Sequence, residues 1–372
     1  MRILMLVDTV TRHPGGGERL AAGLATELVK RGDEVVLCVT RADPPTYRPP
    51  LEQAGIHVIE LGRRSVLQVW AFRPLWKLIR RRDFDVLHSH KFGSNVWGVL
   101  FGRLGRVPAV VAQEQTWSYE GKPVRKLLDG LIGRLSDRFV AVSSADRARM
   151  ISKERVPPEK ITVIPNAYVP RPDSGTGDLR AELNLDPGIP IIGAVAVLRP
   201  QKALDVLLEA FARLGPAHPE ARLVIAGDGE CRGELEDLAA ELRIAGRTHF
   251  LGMREDIEHL LAGFDVAAMS SDFEGTPLFA LECMAHGVPL VATNVGGLPD
   301  LVQDRRSAFL VPPRDPEALA SALDTLLSSP DLRERIAEAA RLRAGEFTIE
   351  RTADRFSSLY DSLLSGNRKH GS

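Results

Sequence analysis

The sequence predicts an α/β protein of two doubly wound, Rossmann-like domains facing a central cleft. Three observations lead there. Short apolar, β-rich runs alternate with stretches of helical spacing along most of the chain, the pattern of parallel sheets covered by helices on both faces. The pattern breaks once, at a polar stretch rich in Pro and Gly, and then restarts. The length, 372 residues, is long for one domain and suits two of about 150–200 residues each.

The elements follow in order. Ile3–Val7 is an apolar run ending in Asp8, and reads as the first strand. Glu18–Arg31 has helical spacing (Leu20, Leu24, Leu28) and stops at Gly32. Glu34–Thr40 and His57–Leu61 are the second and third strands, and Pro74–Arg82 is a short helix with Pro at its start. Asp85–His88, Ala109–Ala112, Phe139–Val142 and Ile161–Ile164 continue the strands. Pro170–Asp178 is the linker. Beyond it, Ile191–Val197, Arg222–Ile225, His249–Leu251, Val266–Met269, Leu290–Ala292 and Ala308–Val311 read as strands. Helices fall between them at Leu204–Leu214, Gly233–Leu242, Ile257–Leu261, Leu278–His286 and Pro316–Ser328. Thr348–Leu364 is a helix with Phe356, Leu359, Tyr360 and Leu363 on one face. The boundaries are 1–168 for an N-terminal domain, 178–346 for a C-terminal domain and 347–372 for a last helix and tail. Ligands are expected at the carboxyl ends of the strands.

Composition narrows the class. The chain is 44% hydrophobic and 26% charged, as soluble globular proteins are. No apolar run approaches the ~20 residues of a membrane span. The N-terminal apolar run is too short for a signal peptide, so the cytoplasm is the expected compartment. Cys38, Cys231 and Cys283 are far apart and show no metal-ligand spacing, so reduced, mostly buried thiols are expected. The net charge of −1 hides an asymmetry. Residues 1–165 hold 27 Lys and Arg against 17 Asp and Glu, a surplus of ten cations; the remainder holds 21 against 32, a surplus of eleven anions. The basic half suits an anionic membrane surface or an anionic acceptor; alternatively, the halves attract each other across the cleft. No nucleic-acid partner is expected.

Several constellations carry chemistry. Gly15-Gly16-Gly17 lies between the first strand and the first helix, where glycines let the backbone approach a phosphate or sugar at a helix N-terminus. A flexible turn is the alternative, and the spacing is not that of a dinucleotide fingerprint. Arg199 and Lys202 follow the Ile191–Val197 strand, three residues apart, and suit a diphosphate whose charge grows as it leaves; a solvated basic turn would look the same. From Phe273 to Pro289, Glu274 in a turn and Glu282 in a helix flank Gly275-Thr276-Pro277. The helix start offers free N–H groups, and Glu282 one turn in could accept from a ribose diol; two solvated glutamates are the other reading. His88 and His90 bracket a strand end, either packed or facing an acceptor. Two basic amphipathic stretches, Arg63–Arg82 (with Trp70, Phe72 and Trp76) and Lys122–Arg138, suit an anionic lipid surface. In the second, Leu127, Leu128, Leu131, Ile132 and Leu135 oppose the cations; the alternative is that both are ordinary helices with apolar faces on the sheet.

Taken together and in order, these motifs carry a resemblance over nearly the whole chain. The Glu274–Glu282 segment is similar to the E-x(7)-E signature of retaining glycosyltransferases of family four, which have a two-domain B-type fold. Gly16-Gly17, Asp85-Val86-Leu87-His88-Ser89-His90, Val140-Ala141-Val142-Ser143, Val163-Ile164-Pro165-Asn166, Arg199 and Lys202 match that pattern. So do Ala226-Gly227-Asp228-Gly229, Phe250-Leu251-Gly252 and the Asn294–Asp300 stretch. The resemblance implies a nucleotide-sugar donor, UDP- or GDP-linked, as substrate rather than any cofactor, no metal, and hexosyl transfer with retention. It implies that Glu282 binds the ribose, and that Arg199 and Lys202 hold the diphosphate. Glu274 with Gly275, Thr276, Leu278 and Phe279 would hold the donor sugar, Gly252 and Met253 would lie against the base, and Gly16 and Gly17 would border the diphosphate. Catalysis would rest on Glu274, Arg199 and Lys202. The last helix would return to the N-terminal domain. The acceptor side would include His90 and Glu114; Gln113-Glu114-Gln115 stands where the family often has a His near the sugar. Ala203 stands where Gly usually follows the diphosphate Lys, with a backbone adjustment expected, and Ala167 where Gly often follows Asn166. The expected acceptor is a glycan, lipid-linked or membrane-proximal, in cell-surface polysaccharide or lipopolysaccharide synthesis, with the enzyme peripheral on the inner membrane face. A small soluble acceptor, such as a sugar phosphate or a polyol, or nucleotide-sugar binding without turnover are the alternatives.

Overall fold

The structure, a computed structural model, describes all residues except 12–14, 42–44, 65–67, 82, 116–122, 171–177 and 370–372. Most of the expected linker, Arg82 and Lys122 therefore lie outside the described residues. The chain divides into two compact units. One is Met1–Val169 together with the chain from Thr348 onward; the other is Pro170–Phe347.

The first unit is a parallel sheet of seven strands: β1 (Arg2–Val7), β2 (Glu34–Arg41), β3 (His57–Arg63), β4 (Val86–His90), β5 (Ala109–Gln113), β6 (Arg138–Ala141) and β7 (Ile161–Val163). Their order is β3-β2-β1-β4-β5-β6-β7. Order reverses between β1 and β4, the topological switch point at which doubly wound sheets open a crevice. Strand β1 pairs on both edges, Leu4 with Val36 of β2 and with Leu87 of β4, which is why it reads as a continuous apolar run. Its helices are α1 (Gly16–Lys30), α2 (Pro49–Gln53), α3 (Arg73–Arg80), α4 (Lys91–Leu104), α5 (Pro123–Leu135) and α6 (Ser144–Ser152). Ser143 caps α6, its hydroxyl accepting the Asp146 N–H at 3.0 Å.

The second unit has a six-stranded parallel sheet: β8 (Ile191–Val195), β9 (Arg222–Ala226), β10 (Thr248–Gly252), β11 (Val266–Met269), β12 (Leu290–Thr293) and β13 (Phe309–Val311), in the order β10-β9-β8-β11-β12-β13. The helices are α7 (Leu179–Glu182), α8 (Leu204–Leu214), α9 (Arg232–Glu241), α10 (Ile257–Gly263), α11 (Leu278–His286), α12 (Leu298–Leu301), α13 (Pro316–Leu327) and α14 (Pro330–Ala344). Helix α8 packs beside α13 on one face, and α11 beside α14 on the other. Here the reversal falls between β8 and β11, joined through Val266–Ile192 and Ala267–Gly193. Both units are thus the doubly wound sheets that the strand–helix alternation predicts.

Helix α15 (Ile349–Lys369) closes the chain and packs on α1 within the first unit. Arg31 bonds Asp354 at 2.6 Å and the Glu350 carbonyl at 2.7 Å. Phe356 and Tyr360 are fully buried in the first unit's core. The three cysteines are free; Cys38 and Cys283 are buried.

Candidate functional site

Strands β8 and β11 lie side by side, so the loops that leave their carboxyl ends meet. The β8 loop carries Arg199 and Lys202, and the β11 loop carries Glu274. The Lys202 ammonium donates to Glu274 Oε1 at 2.6 Å, and the Ser271 hydroxyl donates to the same oxygen at 2.6 Å. Glu274 is buried and Lys202 half-buried, so solvent screens the pair less than a surface pair. The two loops are stitched further by the Asp272 N–H on the Gln201 carbonyl (2.9 Å) and the Ser270 hydroxyl on the Lys202 carbonyl (3.0 Å). Thr293, at the end of β12, donates to the Ser271 carbonyl at 2.6 Å. Sequence spacing picked out Lys202 and Glu274, 72 residues apart; Ser271, an ordinary loop serine by sequence, was missed.

Two glycines set how closely this site packs. Gly296 has φ +56, and a Cβ there would lie 1.7 Å from the Glu274 carbonyl oxygen. The Gly297 N–H bonds the Gly275 carbonyl at 2.8 Å, so the β12 loop lies directly against the Glu274–Gly275 turn. Gly227 has φ +133, and a Cβ there would lie 1.8 Å from the Ala196 carbonyl oxygen, locking the β9 loop onto the β8 loop. Ala203 takes the left-handed conformation, φ 47 and ψ 43, at the start of α8. A glycine adopts that conformation freely, so the alanine is accommodated with strain.

Helix α11 begins just beyond, after Pro277, with no side-chain cap. The N–H groups of its first turn, Leu278 and Phe279 among them, are left without intrahelical partners. Thr276, Phe279 and Glu282 are buried, Glu282 one turn into the helix. Gly252 ends β10 with φ +69 and accepts the Gly227 N–H at 2.7 Å; the adjoining Met253 is exposed. The Arg199 guanidinium is exposed and has no ion-pair partner among the described residues. It lines a cavity of about 420 Å³ with Leu204, Asp205, Arg314 and helix α9. Thus the structure joins Lys202 to Glu274, and places Arg199 at a neighbouring cavity, also lined by Asp205, Glu234, Asp237 and Glu241, that does not include the couple.

In the first unit, Gly16 opens α1 behind Gly15. A Cβ on Gly17 would lie 1.9 Å from Gln115 Oε1 and 2.9 Å from Lys91 Cε. Gln115, then, is the side chain of the Gln113–Gln115 run that lies on the glycine loop. Both of its amide atoms lack partners among the described residues. Glu114 is buried and directed elsewhere, 3.7 Å from Arg125 of α5. Arg125 also lies 3.8 Å from the buried Asp129. Burial first, then the Glu114 and Glu154 carboxylates, push Asp129 up to about 8, against the pull of Arg125. Strand β4 runs past His88 to His90, so both rings point to one face, with centroids 4.1 Å apart and planes tilted by 37°. Burial, aided by Lys91, pushes His90 down to about 3, and burial also holds His88 well below its ordinary value. Both are neutral at physiological pH. His88 Nδ1 pairs with the Tyr360 hydroxyl of α15 at 2.8 Å, a contact that sequence spacing could not show.

The second amphipathic stretch is divided. Ile132 of α5 is buried, but Val124, Leu127, Leu131 and Leu135 are exposed. No described helix is long and apolar enough to cross a membrane.

The chain thus comprises two doubly wound units, one with a lysine–glutamate couple at its switch point beside an uncapped helix start. Comparison with known proteins names the class. Residues 176–343 match the family Glycosyl transferases group 1, and residues 14–170 match Glycosyltransferase Family 4. A D-inositol 3-phosphate glycosyltransferase of Stackebrandtia nassauensis is 32% identical, over 95% of this chain and 88% of the relative. The UDP-Gal:alpha-D-GlcNAc-diphosphoundecaprenol alpha-1,3-galactosyltransferase of Escherichia coli is 28% identical over 78% of each. Anabaena HepE, solved in complex with UDP, superposes with a TM-score of 0.81 over 97% of this chain and all of that one, at 24% identity, a likeness of fold. The chain belongs to these glycosyltransferases, and it transfers a sugar from a nucleotide-sugar donor.

Proposed function

We propose that this enzyme moves a hexose from a UDP- or GDP-sugar, with retention of anomeric configuration and without a metal ion, to a lipid-linked or membrane-proximal glycan acceptor in cell-surface polysaccharide or lipopolysaccharide synthesis. The observation that carries the donor half is the Lys202–Glu274 couple at 2.6 Å beside the start of α11. In this reading the diphosphate replaces Glu274 as the anionic partner of Lys202. Arg199, uncommitted and one turn away, adds a second cation. Glu274, freed and held by Ser271, accepts from hydroxyls of the donor sugar, and Glu282 accepts from the ribose. The N–H groups of Leu278 and Phe279 favour negative charge at the helix start. Charge grows on the diphosphate as the glycosidic bond breaks, so these cations hold the transition state more tightly than the ground state. With no carboxylate nucleophile assigned, retention follows from front-face attack, the leaving phosphate taking the acceptor proton. Arg199 and Lys202 supply the charge that a metal ion would otherwise bring.

The basic first half and the E. coli relative, whose name specifies a diphosphoundecaprenol acceptor, support a lipid-linked acceptor. A second reading, a small soluble acceptor, is favoured by the inositol 3-phosphate relatives that match nearly the whole chain. The test is a thermal-shift and diphosphate-release screen over UDP-, GDP- and ADP-sugars with both acceptor classes. Binding alone raises stability by RT ln(1 + [L]/Kd). One nucleotide series is expected to shift the melt and to release diphosphate, with the same anomer in product as in donor and no loss in EDTA. Turnover untouched in both Lys202→Ala and Glu274→Ala would show that the site is elsewhere.

A further inference from the structure

We infer that the outer face of α3, α4 and α5 in the first unit is a docking surface for an anionic lipid bilayer. This deepens the membrane-proximal reading of the acceptor, and it rests on observations separate from the donor site.

The first observation is an apolar stripe that none of the described residues covers. Val124, Leu127, Leu131 and Leu135 follow one another at helical spacing on α5 and are all exposed, Leu127 at 74% and Leu131 at 48%. Three or four such residues in one row are what a helix buries against a core. Here the core-facing side of α5 is instead built from Ile132, Gly130 and Gly133, so the leucines are surplus to folding. The stripe is continued by α4, which packs beside α5. Arg103 of α4 donates to the Leu135 carbonyl, tying α4 to the end of the stripe, and α4 itself exposes Leu100 and Leu104.

The second observation is charge. Helices α3, α4 and α5 carry eight cations and one acid. That acid, Asp129, is fully buried, so the three helices expose no carboxylate; three of the cations are spent elsewhere, Lys91 at the glycine loop, Arg103 on Asp137 and Arg125 near Glu114, and five remain outward. Lys126 and Arg134 flank the leucines on α5, and Arg73, Lys77 and Arg80 are presented by α3. Trp97 and Phe101 of α4 pack against Phe72 and Trp76 around α3, at centroid separations from 4.6 to 5.9 Å, fixing α3 beside α4.

Chemistry selects the occupant. Two copies of this chain placed face to face would oppose cation to cation with no carboxylate between them, so self-association is disfavoured. A purely anionic polymer would satisfy the cations and leave the leucines in water. A bilayer of anionic lipid satisfies both, with aliphatic groups entering the acyl boundary and cations at the headgroups.

The test is co-sedimentation of the full chain with vesicles of phosphatidylglycerol and phosphatidylcholine in equal parts, and with phosphatidylcholine alone. Binding is expected to the anionic vesicles at low salt, weakened at high salt. It should fall about fivefold for each cation removed in Lys126→Gln and Arg134→Gln, and by tenfold or more in Leu127→Glu/Leu131→Glu. These side chains are exposed, so thermal midpoint and turnover on a soluble acceptor are expected to stay at wild-type values, which separates lost docking from lost folding. Absence of binding at low salt would overturn the inference. So would binding that survives Leu127→Glu/Leu131→Glu and yields only to the charge variants, which is a polyanion contact, or a dimer abolished by the leucine substitutions. Failure of the donor reading looks different: vesicles bind and no diphosphate is released.

Discussion

Gly296→Ala tests whether the position of Glu274 governs catalysis. The substitution adds one methyl group in the second unit, against the Glu274 backbone, and alters no charged side chain. Its Cβ would sit 1.7 Å from the Glu274 carbonyl oxygen and 2.7 Å from the carbonyl carbon. Both are backbone atoms, which cannot rotate away as a side-chain tip can. A carbon–oxygen contact of about 3.2 Å requires the two loops to part by roughly 1.5 Å. At φ +56 alanine also carries about 1–2 kcal/mol of left-handed strain. Displacement of this size is expected to cost turnover on the order of a hundredfold, with stability lower by about 2–4 kcal/mol. The assay pairs nucleoside-diphosphate release with thermal melts of the purified variant. Gly233→Ala in α9 is the control, because a Cβ there meets open space; it should keep full turnover and gain up to about 1 kcal/mol. A Gly296→Ala enzyme that folds and turns over at the wild-type rate would refute the claim that Glu274 must be held where the structure places it.

Lys202→Met keeps the side-chain length and leaves Glu274 buried with the Ser271 hydroxyl still donating to it; turnover should drop at least a hundredfold, and the double variant with Glu274→Gln should lose less than the sum of the singles, by about 1–3 kcal/mol in a kinetic cycle. Tyr360→Phe removes the partner of His88 Nδ1 and should lower unfolding free energy by about 1–3 kcal/mol, measured by urea melts, with turnover retained. His90 is held at about 3 against an ordinary 6.5. Its contribution is therefore present above pH ~6.5 and lost as pH falls toward 3, by up to ~5 kcal/mol; His90→Gln should flatten that acid slope in melts at stepped pH. Asp129 is shifted the opposite way, to about 8 from 3.8, so its contribution is complete below pH ~4 and lost as pH rises through 8. Asp129→Asn should remove that alkaline loss.

Most strands were legible because they are buried on both faces; the edge strands β3, which alternates, and β10, half-buried throughout, are the exceptions. A parallel strand buried in this way shows no polar alternation, so its short apolar run stands out. Helix α4 was not legible, and its glycines explain why. Gly98 and Gly102 weaken any helical signal, yet a Cβ on them would lie 2.8 Å from Ser89 Cβ and from Val110 Cγ2, so the helix rides close on the sheet only because they are bare. Helix α14, with alanines among charges, offered little apolar spacing to read. At the site, Lys202 and Glu274 could be picked out as charged residues after strands. That they touch depends on β8 lying next to β11, a fact of strand order that no local spacing encodes. Glu114 illustrates the converse: it stands in a suggestive place in the chain, and the structure spends it on Arg125, while Gln115 lies on Gly17.

The departures from the family pattern can be weighed by backbone geometry rather than by residue identity. At Ala203 the left-handed conformation is kept although the residue is alanine. Its strain, about 1–2 kcal/mol, is offset in part by a buried methyl group and by the smaller chain entropy an alanine loses on folding. The net is small beside the network that holds the loop: Lys202 on Glu274, Ser270 on the Lys202 carbonyl, Asp272 on Gln201. Such a departure leaves the Lys202–Glu274 couple standing. The Gln113–Gln115 run is of another kind, because it changes which functional group faces the glycine loop. An amide neither carries charge nor titrates, and the two histidines beneath it are held neutral by burial. Recognition by that amide and by Lys91 therefore uses hydrogen bonds and one fixed cation, and neither histidine is poised to take a proton near pH 7. In the mechanism proposed above, the leaving phosphate takes the acceptor proton.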